Sequence, residues 1–159
     1  MGFVGKHIPA AVFILLSQLA GIVGSFFTVS ALADWYAFLN KPAFNPPDWI
    51  FGPVWVTLYT MMGLAAYLVW LKRDEQSIAR PALIFFAVHL LFNSLWSIIF
   101  FGLQNLWLAF GEIMILWIMI AVLIKLFYRI DKRSAYLMLP YLLWVSFAML
   151  LNFSLWQLN

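Results

Sequence analysis

The sequence predicts an all-α integral membrane protein: a five-transmembrane-helix bundle with a structured loop between helices 1 and 2. Three observations predict it. Of the 159 residues, 66% are hydrophobic and only 9% charged, against about 25% charged in a soluble domain. The apolar residues fall into five runs near residues 8–29, 53–71, 81–101, 106–127 and 135–156, each close to the roughly twenty residues that cross about 30 Å of hydrocarbon. The basic residues lie between these runs or at their ends. Lipid forbids unpaired backbone groups, and the short alternating strands of a membrane barrel are absent, so helices remain. Residues 1–159 read as a single membrane domain.

The first run follows Lys6 and ends near Ala31-Leu32-Ala33. It resembles a signal peptide, but it is longer than the roughly 7–15 residues of a signal core, so it reads as a retained helix. Ser17, Gly21 and Ser25 recur at intervals of four, with Gly24 beside them. Small residues at this spacing let helices approach closely, either inside the bundle or along a homodimer seam.

The stretch from Trp35 to Gly52 is the one long connection. Trp35, Tyr36, Phe38, Phe44, Trp49 and Phe51 alternate there with Pro42, Pro46 and Pro47. Proline fixes φ and removes a backbone donor, so the loop should be stiff. Aromatic rings with a polar handle suit a membrane–water boundary. The loop is therefore either an interfacial aromatic belt or a lid over a flat apolar ligand, with Ala33-Asp34 and Gly52 as hinges.

The third run carries His89, Asn93 and Trp96 at i, i+4 and i+7, on one helical face. Polar groups at membrane depth are costly and should face protein or a cavity. His7, at the far end of the chain, is the only other histidine, so a bis-His haem or zinc site is not expected. The fourth run carries Glu112, a functional candidate by its position, or else an acid partly reaching the interface or a neutral one hydrogen-bonded to Asn93 or Tyr141. In the fifth run Tyr141, Trp144 and Ala148 share a face, and with Trp55, Tyr59 and Trp96 they are candidate pocket walls.

Several function classes are excluded. There is no cysteine, hence no thiolate chemistry. No nucleotide-binding or nucleophile-elbow motif occurs. The net charge of +3 comes without a basic patch interleaved with polar surface, so nucleic acid is not an expected partner. Lys6, Lys72, Arg73, Arg80, Lys125, Arg129, Lys132 and Arg133 all fall on one side of a five-span chain, and Lys41 alone on the other. For a plasma-membrane protein, the positive-inside rule then puts the N-terminus in the cytoplasm and the Trp35–Gly52 loop outside.

Lys41-Pro42, Asn45-Pro46-Pro47-x-Trp49, Phe51-Gly52-Pro53-Val54-Trp55, Leu58-Tyr59, Asn93-x-x-Trp96, Glu112, Pro140-Tyr141-x-x-Trp144, Phe147-Ala148 and Leu151-Asn152 together resemble the TspO/MBR family, the tryptophan-rich sensory or translocator proteins. The resemblance implies a commonly dimeric five-helix fold with a cavity under the first long loop. It implies a receptor, transporter or sensor for porphyrins such as protoporphyrin or haem-type tetrapyrroles, with no cofactor or metal of its own. The family's cavity positions fall at Trp35, Tyr36, Pro46, Trp55, Tyr59, Asn93, Trp96, Trp144 and Ala148. An alternative it implies is light- and oxygen-dependent porphyrin breakdown, with Trp55 and Trp144 as the tryptophans concerned. A general site for sterols or drug-like molecules is another. The sterol motif of animal members has a tyrosine and a basic residue where this chain has Phe153 and Gln157, which puts sterol binding through it in doubt. On physical grounds, indole and phenol rings would stack on a porphyrin, and Lys41 would meet a propionate arm.

Overall fold

The structure, a computed structural model, describes residues 4–159, with side chains from Ile8 onward. Lys6 and His7 of the sequence reading lie outside the described side chains. Five helices follow one another: α1 (Val4–Asp34), α2 (Phe51–Leu71), α3 (Ala79–Ser97), α4 (Leu106–Ile130) and α5 (Lys132–Leu158). All five are long and apolar enough to span a bilayer. The helices run past the apolar cores read from the sequence, since apolar length marks the hydrocarbon crossing and not the helix ends.

Local chemistry explains the boundaries. Pro53 is the third residue of α2 and Pro81 the third of α3, inside the first turn, where the missing N–H would have had no intrahelical partner. Asn105 caps α4, its side-chain oxygen accepting from the Leu108 N–H at 2.9 Å. Asp131 alone joins α4 to α5 and caps the latter, accepting from the Arg133 N–H at 2.8 Å. The Arg133 side chain also donates to Asp131, with a contact of 2.8 Å, and this hydrogen bonding holds the Asp131 carboxyl below its ordinary range. After Ser97, α3 widens into a short π-helical segment, Ile98–Gly102, and Gln104 turns the chain with φ of 53°.

The helices pack in a ring in the order α1, α2, α5, α4, α3, closing back on α1, with α2 also reaching α3 and α4 across it. The core lies toward the end that carries the α2–α3 and α4–α5 connections. Met62, Ala65, Ala66, Val69, Ala79, Ala82, Leu123, Phe127 and Met138 are completely buried there. Small alanines let the backbones close together. The short α2–α3 connection is laced by the pairs Lys72–Glu75 and Arg80–Asp74.

Of the small residues of α1, Ser17 and Gly24 are buried within the bundle and Gly21 lies against Tyr59, while Ser25 is exposed. Ser17 is buried and donates to the Phe13 carbonyl. A Cβ at Gly21 would run into the Tyr59 ring, and one at Gly24 would lie 2.9 Å from Ser97 Oγ. α1 also approaches α2 closely at Gly63, where a Cβ would meet Ile14 Cα at 2.5 Å. Leu15, Leu19 and Phe26 of α1 are exposed and apolar, as suits lipid.

Candidate ligand-binding cavity

At the other end the ring does not close. The loop after α1 folds back over this end through two single turns of 3-10 helix, Tyr36–Phe38 and Asp48–Ile50. Its backbone is tied by turns from Asn45 N–H to the Pro42 carbonyl (3.0 Å) and from Ile50 N–H to the Pro47 carbonyl (3.0 Å). Tyr36 is its buried anchor, donating to Asn45 Oδ1 at 2.9 Å. Burial, with the nearby Asp48 charge adding to it, pushes the Tyr36 phenol up to about 12, so it stays neutral. Asn40 binds the loop to the end of α5: its N–H donates to Asn159 Oδ1 at 2.9 Å, and Asn159 Nδ2 donates back to the Asn40 carbonyl at 3.1 Å. The expected hinges do not lie in the loop, because α1 continues through Asp34 and Gly52 falls within α2.

Beneath the loop lies a cavity of about 510 Å³, inside the roughly 300–1,000 Å³ range of small-molecule sites. Trp55 and Tyr59 from α2, Trp96 from α3, Trp144 from α5 and Phe51 at the start of α2 supply its aromatic walls. The rings brace one another: Trp55 stacks on Tyr59 at 5.4 Å, Trp96 on Phe100 at 4.9 Å, and Phe51 meets Trp144 edge-on at 5.9 Å. Ile22 and Val29 of α1 and Val56 of α2 also line the cavity and are exposed.

The polar groups form a chain leading away from the cavity. Tyr59 donates to Asn93 Oδ1, Asn93 Nδ2 donates to Tyr141 Oη at 2.8 Å, and Tyr141 Oη is 2.9 Å from His89 Nε2. Tyr59 and Asn93 line the cavity, while Tyr141 and His89 lie fully buried behind it. Each member thereby has the partner that membrane depth demands. Trp96 Nε1 donates to Asn152 Oδ1 at 3.3 Å, and Asn152 Nδ2 to the Leu106 carbonyl at 2.9 Å.

Of the residues singled out from the sequence, Tyr36, Trp55, Tyr59, Asn93, Trp96, Trp144 and Ala148 line this cavity; Trp35 and Pro46 do not. Trp35 packs edge-on against Phe100 at 5.7 Å, behind the wall, and the Pro46 carbonyl accepts from Asn45 Nδ2. Lys41 is half-buried with its ammonium 4.6 Å over the Tyr36 ring, and it is absent from the lining. Glu112 is buried, but neither of its oxygens has a partner and it does not face the cavity, although Ile113 and Leu116 beside it do. The hydrogen bonds expected for it do not form: Asn93 donates to Tyr141 instead, and the Tyr141 hydroxyl is shared with His89.

Sequence reasoning missed Gln18 and Asp48, which line the cavity together with Trp49 of the loop. Gln18 crosses from α1 to α2, its Nε2 donating to the Val56 carbonyl and to Thr60 Oγ1, both at 3.0 Å. A lone glutamine inside an apolar run was the available signal, since an unpaired amide is costly in lipid.

Comparison with known proteins bears directly on this arrangement. The profile of the TspO/MBR family matches residues 13–157. The chain belongs to the TspO/MBR family. It is 41% identical over 148 residues to the tryptophan-rich protein TspO of Chlorobaculum tepidum, covering 91% of each chain. It is 39% identical over 127 residues to the tryptophan-rich sensory protein of Cereibacter sphaeroides, covering 79% of this chain and 77% of that one. It is 34% identical over 155 residues to the translocator protein of Bos taurus, covering 96% and 90%. This TspO/MBR protein is therefore a multi-pass membrane protein whose five spans build the aromatic cavity.

Proposed function

We propose that this protein is a membrane receptor, for transport or sensing, that takes a flat and largely apolar tetrapyrrole of the porphyrin class into the cavity. The observation that carries the reading is the convergence of Trp55, Tyr59, Trp96 and Trp144 on one space of about 510 Å³, with Asn93 beside them. Stacked rings contribute about 0.5–1.5 kcal/mol per contact beyond the area they bury. Asn93 keeps one N–H free after donating to Tyr141, which supplies an orienting polar contact. In this reading the N-terminus is cytoplasmic and the loop faces outward, in the cell membrane of a bacterium. The reading includes a homodimer.

Protoporphyrin should quench the tryptophan fluorescence of the detergent-solubilised protein saturably. The double variant Trp55→Ala/Trp144→Ala should lose at least tenfold in affinity while retaining its helical content. Unchanged affinity in that variant would rule the cavity out as the site.

A second reading rests on Trp55 and Trp144 lining the same space. A porphyrin held between them would be excited by light and attacked by dissolved dioxygen, with the indoles as neighbouring electron donors. Bleaching of the porphyrin band should then need light, dioxygen and folded protein together. Equal bleaching with heat-denatured protein would count it as solution photochemistry.

A further inference from the structure

The cavity is lined by one charged side chain among the described residues, Asp48. It sits at the mouth, in the 3-10 turn that leads into α2, exposed and without a side-chain hydrogen bond or ion pair among the described residues. The one basic side chain on this side of the bundle is Lys41. Its ammonium is held over the Tyr36 ring and near the Ala37 carbonyl, at 4.6 Å and 3.5 Å. Tyr36 itself lines the cavity, and it feels the Asp48 charge. Lys41 and Asp48 therefore flank one neutral phenol at the mouth, and no ion pair joins them.

We propose that Asp48 and Lys41 form a charge-selective rim that seats ligands by the charge of their arms. A cationic arm is drawn to Asp48, and an acidic arm is turned away from it toward Lys41. The inference rests on the cavity being the ligand site, as proposed above, and adds which ligand chemistry it prefers: a flat apolar body with a neutral or cationic rim is held better than a free dicarboxylate. The physical reason is that no basic residue lines the cavity and that Lys41, beside it, forms no ion pair with Asp48, while the apolar walls behind Asp48 weaken screening on one side. Because Asp48 is exposed, the effect is modest and should fade with salt.

The test compares protoporphyrin, its dimethyl ester and the analogue with both propionates replaced by aminoalkyl arms, by tryptophan quenching at low and high salt. In Asp48→Asn the dicarboxylate should bind about threefold tighter and the diamine about threefold weaker, with the diester unchanged, as expected for an exposed charge pair. Lys41→Met should weaken the dicarboxylate and spare the diester. Asp48→Glu, which keeps the charge, should behave as the unmodified protein. A shift of all three ligands together in Asp48→Asn, or of none, overturns the charge-selective rim and leaves the porphyrin reading standing. If the unmodified protein binds none of the three, the porphyrin reading fails. The rim is then judged alone with a planar cationic acridine against its neutral isostere: loss of preference for the cation in Asp48→Asn upholds it, and no preference in the unmodified protein sinks it.

Discussion

The two ends of this bundle are built from the same five helices and differ in side-chain size. At the end with the short connections, Ala65, Ala66, Ala79 and Ala82 are fully buried among Val69, Leu123, Phe127 and Met138. Small and branched residues there let the backbones approach until no space remains. Under the long loop, Trp55, Trp96, Trp144 and Phe51 face inward but are only partly buried. Their rings brace one another edge-on or stacked, which holds the helices apart and leaves the cavity. The comparison teaches that the cavity is a consequence of placing large rigid rings at one end and alanines at the other.

The sharpest way to break the comparison is the same substitution at both ends. Ala66→Leu has no room to enter and should cost about 1–3 kcal/mol by overpacking, read as a lowered melting temperature in detergent. Ala148→Leu projects into the cavity, so its stability should be near that of the parent, while ligand affinity falls at least tenfold. Equal destabilisation by the two would show that the open end is packed as tightly as the closed one.

Tyr141 stands at the boundary between the ends, fully buried and bonded to both Asn93 and His89. Tyr141→Phe removes one oxygen and leaves two buried groups without a partner. The expected loss is about 1–3 kcal/mol, with a smaller effect on affinity, since Tyr141 does not line the cavity. A loss of affinity without loss of stability would mean that the boundary lies deeper than the hydrogen bonds indicate.

The smallest effect is expected at the loop. Asn159→Ala removes the reciprocal hydrogen bonds to Asn40; both are exposed, so the loss of stability should stay near the low end, about 0.5 kcal/mol. Ligand release should quicken severalfold in stopped-flow, with the melting temperature nearly unchanged. Unaltered release would make the loop an interfacial anchor instead of a cover.

Much of this molecule is legible in its sequence alone. Five apolar runs of bilayer length force five helices, because lipid leaves a backbone no other partner than itself. Prolines crowded between aromatics imply a stiff loop, and the motif run from Lys41 to Trp55 implies the family. Helical periodicity places His89, Asn93 and Trp96 on one face and Trp144 and Ala148 on another. It does not say which neighbour each face meets. The ring order is decided by tertiary packing, through close approaches such as Gly63 against Ile14. The same packing turns Asn93 toward Tyr59 and Tyr141 rather than Glu112, takes Trp35 and Pro46 out of the lining, and brings Gln18 and Asp48 into it. Spacing along one helix fixes angles about that helix's own axis. Contacts between helices depend on the volumes of side chains far apart in the sequence, and these meet only when the bundle closes.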